Sequence, residues 1–327
     1  MKDHTDVFTP PFYIRSTFAQ TLLASNKLST WGKNAMLDCA KEVILNPMED
    51  VRLQGFYSSQ PNGGAKGVVM LLHGWEGSVN SAYVLRTGRF LYQNGFSVFR
   101  LNYRDHGDTH QLNRGLFYAS LLDEVFGAVR SVAQYESGLP FYLVGFSMGG
   151  NFALRIARKY TGSPIGNLKH VVSISPVLDP EKSTNAIDKN LPLRKYFRRK
   201  WSRSLRKKQA IFPNLYDFNG ILKLETIAEM TEVLIRRYSE YESSSDYFRH
   251  YAVTGDALAN LSVPTTIVTA QDDPIIPVED FYDLKLSPST HLIVHLYGGH
   301  NGFLETLSGR AWYERKIVEI WKRNSHV

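Results

Sequence analysis

The chain has 327 residues, 43% hydrophobic and 21% charged, ordinary proportions for a globular protein and enough for one large α/β domain with an inserted lid, or for two small domains. Its single cysteine, Cys39, excludes an intrachain disulfide and suits a reducing compartment. No segment approaches the roughly 18 apolar residues of a membrane span, and the start MKDHTDVFTPPFYIRSTFAQTLL has no unbroken apolar run resembling a signal sequence, so a soluble, cytoplasmic protein is expected, with a formal charge of +7 whose location matters more than its size.

The first 50 residues carry helical patterns at Phe18 to Ala24 and Ala35 to Val43, after Pro10-Pro11, and are expected to form an arm packed on the main domain. Val51 to Ser58 reads as a strand. The turn signal Pro61-Asn62-Gly63-Gly64 leads from it into the apolar Gly67 to Leu72, which predicts a hairpin joining the two. Helices near Ser78 to Gln93 and Tyr118 to Tyr135 then alternate with strands at Phe96 to Tyr103, Phe141 to Val144 and His170 to Ser175. Apolar strands without clean alternation are buried on both faces, so the reading is an α/β fold, a mostly parallel central sheet with helices on both faces. The alternation breaks between about Val177 and Ala257, where the chain is helical and charged, and resumes at Pro264 to Thr269 and Leu292 to Leu296 before a last helix over Arg310 to Lys322. The expected organisation is an arm at 1–50, a core at 51–176 and 258–327, and a helical cap at 177–257 inserted after the sixth strand.

The stretch FYLVGFSMGGN, Phe141 to Asn151, joins a short apolar strand to a helix through Gly145-Phe146-Ser147-Met148-Gly149. In that context G-x-S-x-G has a mechanical meaning: the turn is so tight that Ser147 sits in strained backbone geometry, while Gly145 and Gly149 leave room for the neighbouring strands and helix. Ser147 then stands at a helix amino terminus, where backbone N–H groups favour developing negative charge. The bland reading is a structural strand-to-helix turn. A serine hydroxyl needs a base within hydrogen-bond reach, itself oriented by a third group, and in this kind of sheet the order along the chain is serine, acid, histidine. Of the histidines after the cap, His291 and His295 lie in or beside a strand and His326 in the terminal tail; His300 follows a strand end through Gly298-Gly299 and holds the loop position required. For the acid, Asp273 precedes Pro274 and is pushed toward extended geometry, where its carboxylate can leave the strand end. Asp272 is its near rival, with turn capping as the alternative use, and Asp179, between Pro176 and Pro180, reads better as the turn that launches the cap. Acyl transfer also needs two donors for the oxyanion. The amide of Met148 is one candidate; the amide of Trp75, in His73-Gly74-Trp75-Glu76-Gly77, is the other, with simple packing as its alternative role.

The blocks HGWEGS, NYRDHGDTH, GFSMGGN, QDDPIIP and GGHNGF occur in the order and at the intervals of the α/β-hydrolase superfamily. Over residues 50 to 325 they resemble the branch of bacterial predicted esterases related to eukaryotic abhydrolase-domain lipases. The resemblance implies the α/β-hydrolase fold and a triad of Ser147, Asp273 and His300, in agreement with the reading of the residues. It departs in one respect: those eukaryotic relatives usually carry an amino-terminal membrane anchor, and none is expected here. The activity expected is that of a serine-dependent carboxylic ester hydrolase acting on a small-molecule acyl ester; the same groups serve thioesters, amides, acyl transfer or perhydrolysis. The rival from another class is a non-catalytic scaffold binding lipid or protein through its cap, which has no need for all three groups.

Two further features carry chemistry. His106, Asp108 and His110 at alternate positions could suggest a metal site, but a polar network of Arg104, Asp105 and His106 buttressing the site is the reading preferred, so no metal is expected. No phosphate loop or dinucleotide fingerprint appears, so no cofactor is indicated. The run RKYFRRKWSRSLRKK, Arg194 to Lys208, places nine basic residues around a helix whose apolar stripe is Leu193, Phe197, Trp201 and Leu205. A solvated cap helix is the plain interpretation and attraction to an anionic lipid surface the functional one; nucleic acid is not the expected partner, because the aromatics belong to the stripe. The sequence carries no signal for an oligomeric state.

Overall fold

The computed structural model describes residues 8–30, 32–307 and 309–324; the first seven residues of the expected arm, and His326, lie outside them. Eight strands, β1 (Lys41–Met48), β2 (Val51–Ser58), β3 (Val68–Leu72), β4 (Ser97–Leu101), β5 (Phe141–Phe146), β6 (Leu168–Ile174), β7 (Thr265–Ala270) and β8 (Thr290–His295), form one sheet in the order β1-β2-β4-β3-β5-β6-β7-β8. β1, β2 and β4 pair antiparallel, and every other neighbouring pair is parallel. The apolar runs explain the central positions. In VVMLL, Val68, Met70 and Leu72 enter one core while Val69 and Leu71 enter the other, because successive side chains in a strand point to opposite faces.

Helices α1 (Thr17–Ala24), α2 (Ala35–Asp38), α3 (Ala82–Gln93), α4 (Leu122–Ala133), α5 (Met148–Tyr160), α6 (Pro180–Lys189), α7 (Leu191–Ile211), α8 (Ile227–Tyr238), α9 (Ser244–Arg249), α10 (Glu279–Tyr282) and α11 (Trp312–Asn324) complete the fold. On one face α4 and α5 supply Val125, Val129, Phe152 and Ile156 to the core; on the other, α3 and α11 supply Val84, Leu91, Tyr313 and Trp321. No helix of the described residues is long and apolar enough to cross a membrane.

Two expectations near the start are corrected. The helical pattern Ala35 to Val43 stops at Asp38, and Lys41–Met48, placed in the arm by the sequence, is the edge strand β1. Its β-branched Val43 and Ile44 suit a strand, and Pro47, which cannot donate to a ladder, sits where the register shifts between Leu45 and Met48. The expected hairpin between Val51–Ser58 and Gly67–Leu72 does not form: β2 turns back on β1 through a two-residue connection with Asp50 at φ 57° and borders β4, while β3 lies between β4 and β5. A wholly apolar five-residue strand gains most where both its faces and both its edges are covered, and β3 takes that place.

Between β6 and β7 the chain makes α6 to α9. Asp179 accepts from the amides of Glu181 and Lys182 at the start of α6, and the Asp188 carboxylate accepts from Ile227 and Ala228 at the start of α8. A buried ion pair ties α7 to the loop after β4. Lys208 Nζ donates to Asp105 Oδ1 at 2.7 Å and to the carbonyls of Asn113 and Gly115 at 2.7 and 3.0 Å, with Lys208 1% and Asp105 8% exposed. Burial pushes the lysine down and the aspartate up, and each charge opposes the other's shift. Removing one partner strands a charge in the interior. Lys208→Met is expected to lower unfolding stability by about 3–5 kcal/mol in urea titrations, with Asp105→Asn in the same chain restoring much of the loss; equal losses from the single and double variants would count against the pairing.

Candidate active site

Ser147 is the residue between β5 and α5, with φ 55° and ψ −117°. A side chain at Gly145 would fall on the Gly149 carbonyl, and one at Gly149 on the Leu72 carbonyl of the adjacent strand. The turn is locked by Ser147 N–H donating to Ile174 O at 2.9 Å and by Ser147 O accepting from Asn151 at 3.0 Å. Its hydroxyl therefore leaves the sheet at the carboxyl ends of the parallel strands, where open α/β sheets bind ligands.

Two later strand ends come to the same rim. After β8, Gly298 and Gly299 carry the chain to His300, whose Nε2 lies 2.9 Å from Ser147 Oγ. Its Nδ1 lies 2.9 and 3.1 Å from the two carboxylate oxygens of Asp273, after β7. Nδ1 facing an acceptor-only carboxylate carries the proton, which leaves Nε2 as the acceptor for the serine hydroxyl. Asp273 is itself held by the amides of Ile275 and Ile276, at 2.9 and 3.0 Å. Asp272 turns the other way: Oδ1 accepts from Gly299 N–H at 2.8 Å and Oδ2 from Thr17 Oγ1 at 3.0 Å. Asp179 caps α6, and His291 and His295 are residues of β8, the latter buried edge-on against Trp312. Of the sequence candidates, the structure brings together Ser147, Asp273 and His300.

The loop after β3 passes beside the hydroxyl. A Cβ added to Gly74 would be 3.1 Å from Ser147 Cβ. The Gly74 carbonyl accepts from Gly77 N–H at 3.0 Å and lies 2.7 Å from His73 Nδ1, so the amide of Trp75, on the opposite edge of that planar peptide, points the other way. Gly74 N–H donates to Tyr83 Oη at 2.9 Å, and Glu76 N–H to His106 Nε2 at 3.2 Å. The amides of Trp75 and Met148 donate to no acceptor among the described residues. The Trp75 ring also packs, stacked on Phe197 at 5.5 Å and edge-on to Trp201 at 5.2 Å, so its side chain and its amide have separate uses.

The polar loop after β4 is the support. His106 Nδ1 lies 2.8 Å from Arg104 O, Arg104 pairs with Glu124 at 2.6 Å, and Asn102 Oδ1 accepts from Val79 N–H at 2.9 Å. Burial lowers His106 to about 4 and His73 well below the ordinary imidazole range, so both rings are neutral near pH 7 and His106 can accept from Glu76. Glu76, burial pushing it up to about 8 against the pull of Lys200 and Arg203, lines the cavity in front of Ser147. Asp108 pairs instead with Lys207, and His110 Nε2 lies 2.8 Å from Ser204 Oγ. No group of three metal-binding side chains converges among the described residues.

The cavity itself, about 130 Å³, runs from Ser147 and Met148 under the helical insertion, where Ile187, Phe197, Leu205, Leu234, Ile235 and Phe248 make its walls apolar. Of these, the sequence singled out only Phe197 and Leu205, through the spacing of α7. The walls from α8 and α9 come from helices whose register against the sheet no local pattern encodes.

The family described as serine aminopeptidase, S33, has a model that matches residues 63–305. An abhydrolase domain-containing protein of Dictyostelium discoideum is 25% identical over 95% of this chain and 80% of its own length; a putative esterase of Synechocystis is 26% identical over 91% and 87%. A phospholipase, ABHD3, of Bos taurus is 24% identical over 72% of this chain and 58% of its own length. Among solved structures, the Pyrococcus furiosus esterase Pf2001 superposes with a TM-score of 0.55 over 89% of this chain and 94% of that one at 20% identity, which speaks to the fold. Fold, strand order and family match agree: the chain belongs to the α/β-hydrolase family described as serine aminopeptidase, S33, and is an esterase- and lipase-like hydrolase.

Proposed function

We propose that the protein is a serine-dependent carboxylic ester hydrolase working through Ser147, His300 and Asp273. The observation that carries this reading is the continuous path from Ser147 Oγ through the imidazole to the Asp273 carboxylate, 2.9 Å at each step. Ser147 Oγ attacks the acyl carbon while His300 Nε2 takes the hydroxyl proton, and the negative charge gathering on the carbonyl oxygen is met by the amides of Trp75 and Met148. The imidazolium, steadied by Asp273, returns its proton to the departing alcohol as the C–O bond breaks. Water, deprotonated by the same ring, then cleaves the acyl-enzyme and releases the acid. Residues 177–257 serve as a cap, and the apolar walls of the cavity suit the hydrocarbon part of a small-molecule acyl ester.

The outer side of α7 suggests where such esters are met. Lys195, Arg199, Arg203 and Arg206 are exposed on it and make no ion pair among the described residues, whereas Lys207 and Lys208 are tied to Asp108 and Asp105. Exposed Leu191 and Tyr196 lie on the same helix. A cationic face with apolar residues beside it suits an anionic lipid surface.

Ser147→Ala and His300→Ala are each expected to reduce p-nitrophenyl ester turnover by roughly 10⁴-fold or more while the thermal midpoint stays near wild type. Fluorophosphonate labelling should disappear in Ser147→Ala, and substantial turnover by either variant would refute the assignment. For the acid, Asp273→Asn should cost about 10⁴-fold in kcat, as expected when the carboxylate that fixes the tautomer is lost, and Asp272→Asn far less; the reverse order would move the role by one position. On the lipid face, charge reversal at Lys195, Arg199 and Arg206 together should weaken binding to vesicles containing anionic phospholipid by more than about tenfold and abolish its salt dependence, leaving turnover of a soluble ester unchanged. Equal binding to neutral vesicles would exclude the charge-based reading.

A further inference from the structure

The loop that carries His300 has no regular structure of its own, and Asn301 and Phe303 within it take left-handed backbone angles, φ 61° and 48°, as does Gly299 at φ 52°. Buried amides in such a segment need partners, and an amide left without one carries the full cost of its desolvation. Two of this loop's donors end on α1, at the far end of the chain, and a third on an aspartate that α1 also holds. His300 N–H donates to Thr21 Oγ1 at 3.0 Å, Leu304 N–H to Gln20 Oε1 at 2.7 Å, and Gly299 N–H to Asp272 Oδ1 at 2.8 Å, while the other oxygen of Asp272 accepts from Thr17 Oγ1 at 3.0 Å. Thr17, Gln20 and Thr21 lie on a single face of α1, at helical spacing.

The fit is close enough to be specific. A Cβ on Gly299 would lie 2.7 Å from Thr21 Oγ1, and one on Gly302 would lie 2.8 Å from the Gln20 carbonyl. Gln20 is fully buried, and its Nε2 donates to Leu304 O at 3.3 Å and to Ile14 O at 2.9 Å, so one amide side chain holds both the peptide N–H and C=O of Leu304. On the opposite side the loop has a tie to the sheet, Asn301 N–H to Ser175 Oγ at 3.2 Å.

We propose that α1 is a positioning element for the base: Thr21, with Thr17 acting through Asp272 and Gln20 through Leu304, sets the height of the His300 loop so that one imidazole reaches Ser147 and Asp273 together. Resting on the assignment of His300 as base, it adds residues that touch neither substrate nor reacting atoms. The adjacent aspartates divide the work, Asp273 on the imidazole and Asp272 on the joint between the loop and α1. A reacting group displaced by about 1 Å loses on the order of 10²-fold in rate, so the loss of one tie should be read in kcat more than in KM.

The experiment compares Thr21→Val, which keeps the shape and removes the acceptor, with Thr21→Ser, which keeps the hydroxyl. With p-nitrophenyl butyrate, Thr21→Val should lose ~10- to 100-fold in kcat with KM within about twofold, and Thr21→Ser should recover most of it. Hydrogen exchange at the amides of 299–301 should quicken in Thr21→Val while the amides of β5 and β6 keep their protection. Wild-type kcat in Thr21→Val, or a loss that follows the unfolded fraction and is not rescued by serine, overturns the proposal. Should Thr21→Val not fold, Thr17→Val, which breaks only the tie to Asp272, is read by the same measurements. Turnover by His300→Ala would sink the hydrolase reading itself, whereas an inactive His300→Ala beside a wild-type-like Thr21→Val sinks this one alone.

Discussion

The backbone at residue 147 is held where an isolated serine would not rest, at φ 55° and ψ −117°. Such a conformation costs on the order of 1–3 kcal/mol and persists only when its surroundings over-determine it. Here they do: a side chain at Gly145 would fall on the Gly149 carbonyl and one at Gly149 on the Leu72 carbonyl, Ser147 N–H is taken by Ile174 O, and Asn151 donates through Nδ2 to the carbonyls of Val177 and Tyr251. The strained turn, the strand on either side and the start of the helical insertion are thus one mechanical unit. Its position fixes where everything else at the rim must arrive.

The loop that carries Trp75 is held there by neutral, buried groups. His73 and His106 lie in the interior with their pKa values depressed by desolvation, and each occupies one peptide of the loop that carries Trp75. A neutral imidazole with one N–H and one lone pair can take a carbonyl on one side and an amide on the other, as His106 does between Arg104 and Glu76. In the proposed reaction, donors so fixed need no reorganisation when an oxyanion forms beside them, which is a main source of electrostatic stabilisation. Close by, His73 Nε2 and Tyr103 Oη are buried with no hydrogen-bond partner among the described residues.

How much of this was legible depended on whether a feature is local. The strand-turn-helix around Ser147 is encoded within eleven residues, and the fully apolar β3 and β5 declare a doubly covered sheet by composition alone. His300 and Asp273 could be chosen because a strand end, a glycine pair or a proline lies next to each in sequence. The proline after Asp273 and the family resemblance both favour Asp273 over Asp272, and the structure adds a reason invisible in the sequence: Asp272 has a different partner, Thr17, 255 residues away. β1 was misread because Ala35 to Val43 has a helix-like apolar spacing, and only its pairing with β2 makes Lys41–Met48 a strand. The missed hairpin has the same origin, since a turn signal says that the chain turns and not which strand it will meet.

Helix α7 brings these threads together because its three sides answer to three different environments. Phe197 and Leu205 face the cavity in front of Ser147, Lys208 is sunk at its carboxyl-terminal end into the carbonyls of the loop after β4, and Lys195, Arg199, Arg203 and Arg206 face outward. The nine basic residues between Arg194 and Lys208 exceed the chain's whole formal charge of +7, so the charge of this protein is a property of one helix. Burying Lys208 draws Asp105 inward, and Asp105 Oδ2 in turn accepts from Phe117 N–H at 2.9 Å, beside the cavity wall. The buried ion pair thus joins α7 to the same loop whose His106 accepts from Glu76 N–H. Lys208 and Asp105 are one of several contacts between α7 and the loops beside Ser147, with Ser204 on His110 and Phe197 and Trp201 on Trp75, and neither member of the ion pair can move without leaving the other's charge in a medium that does not solvate it.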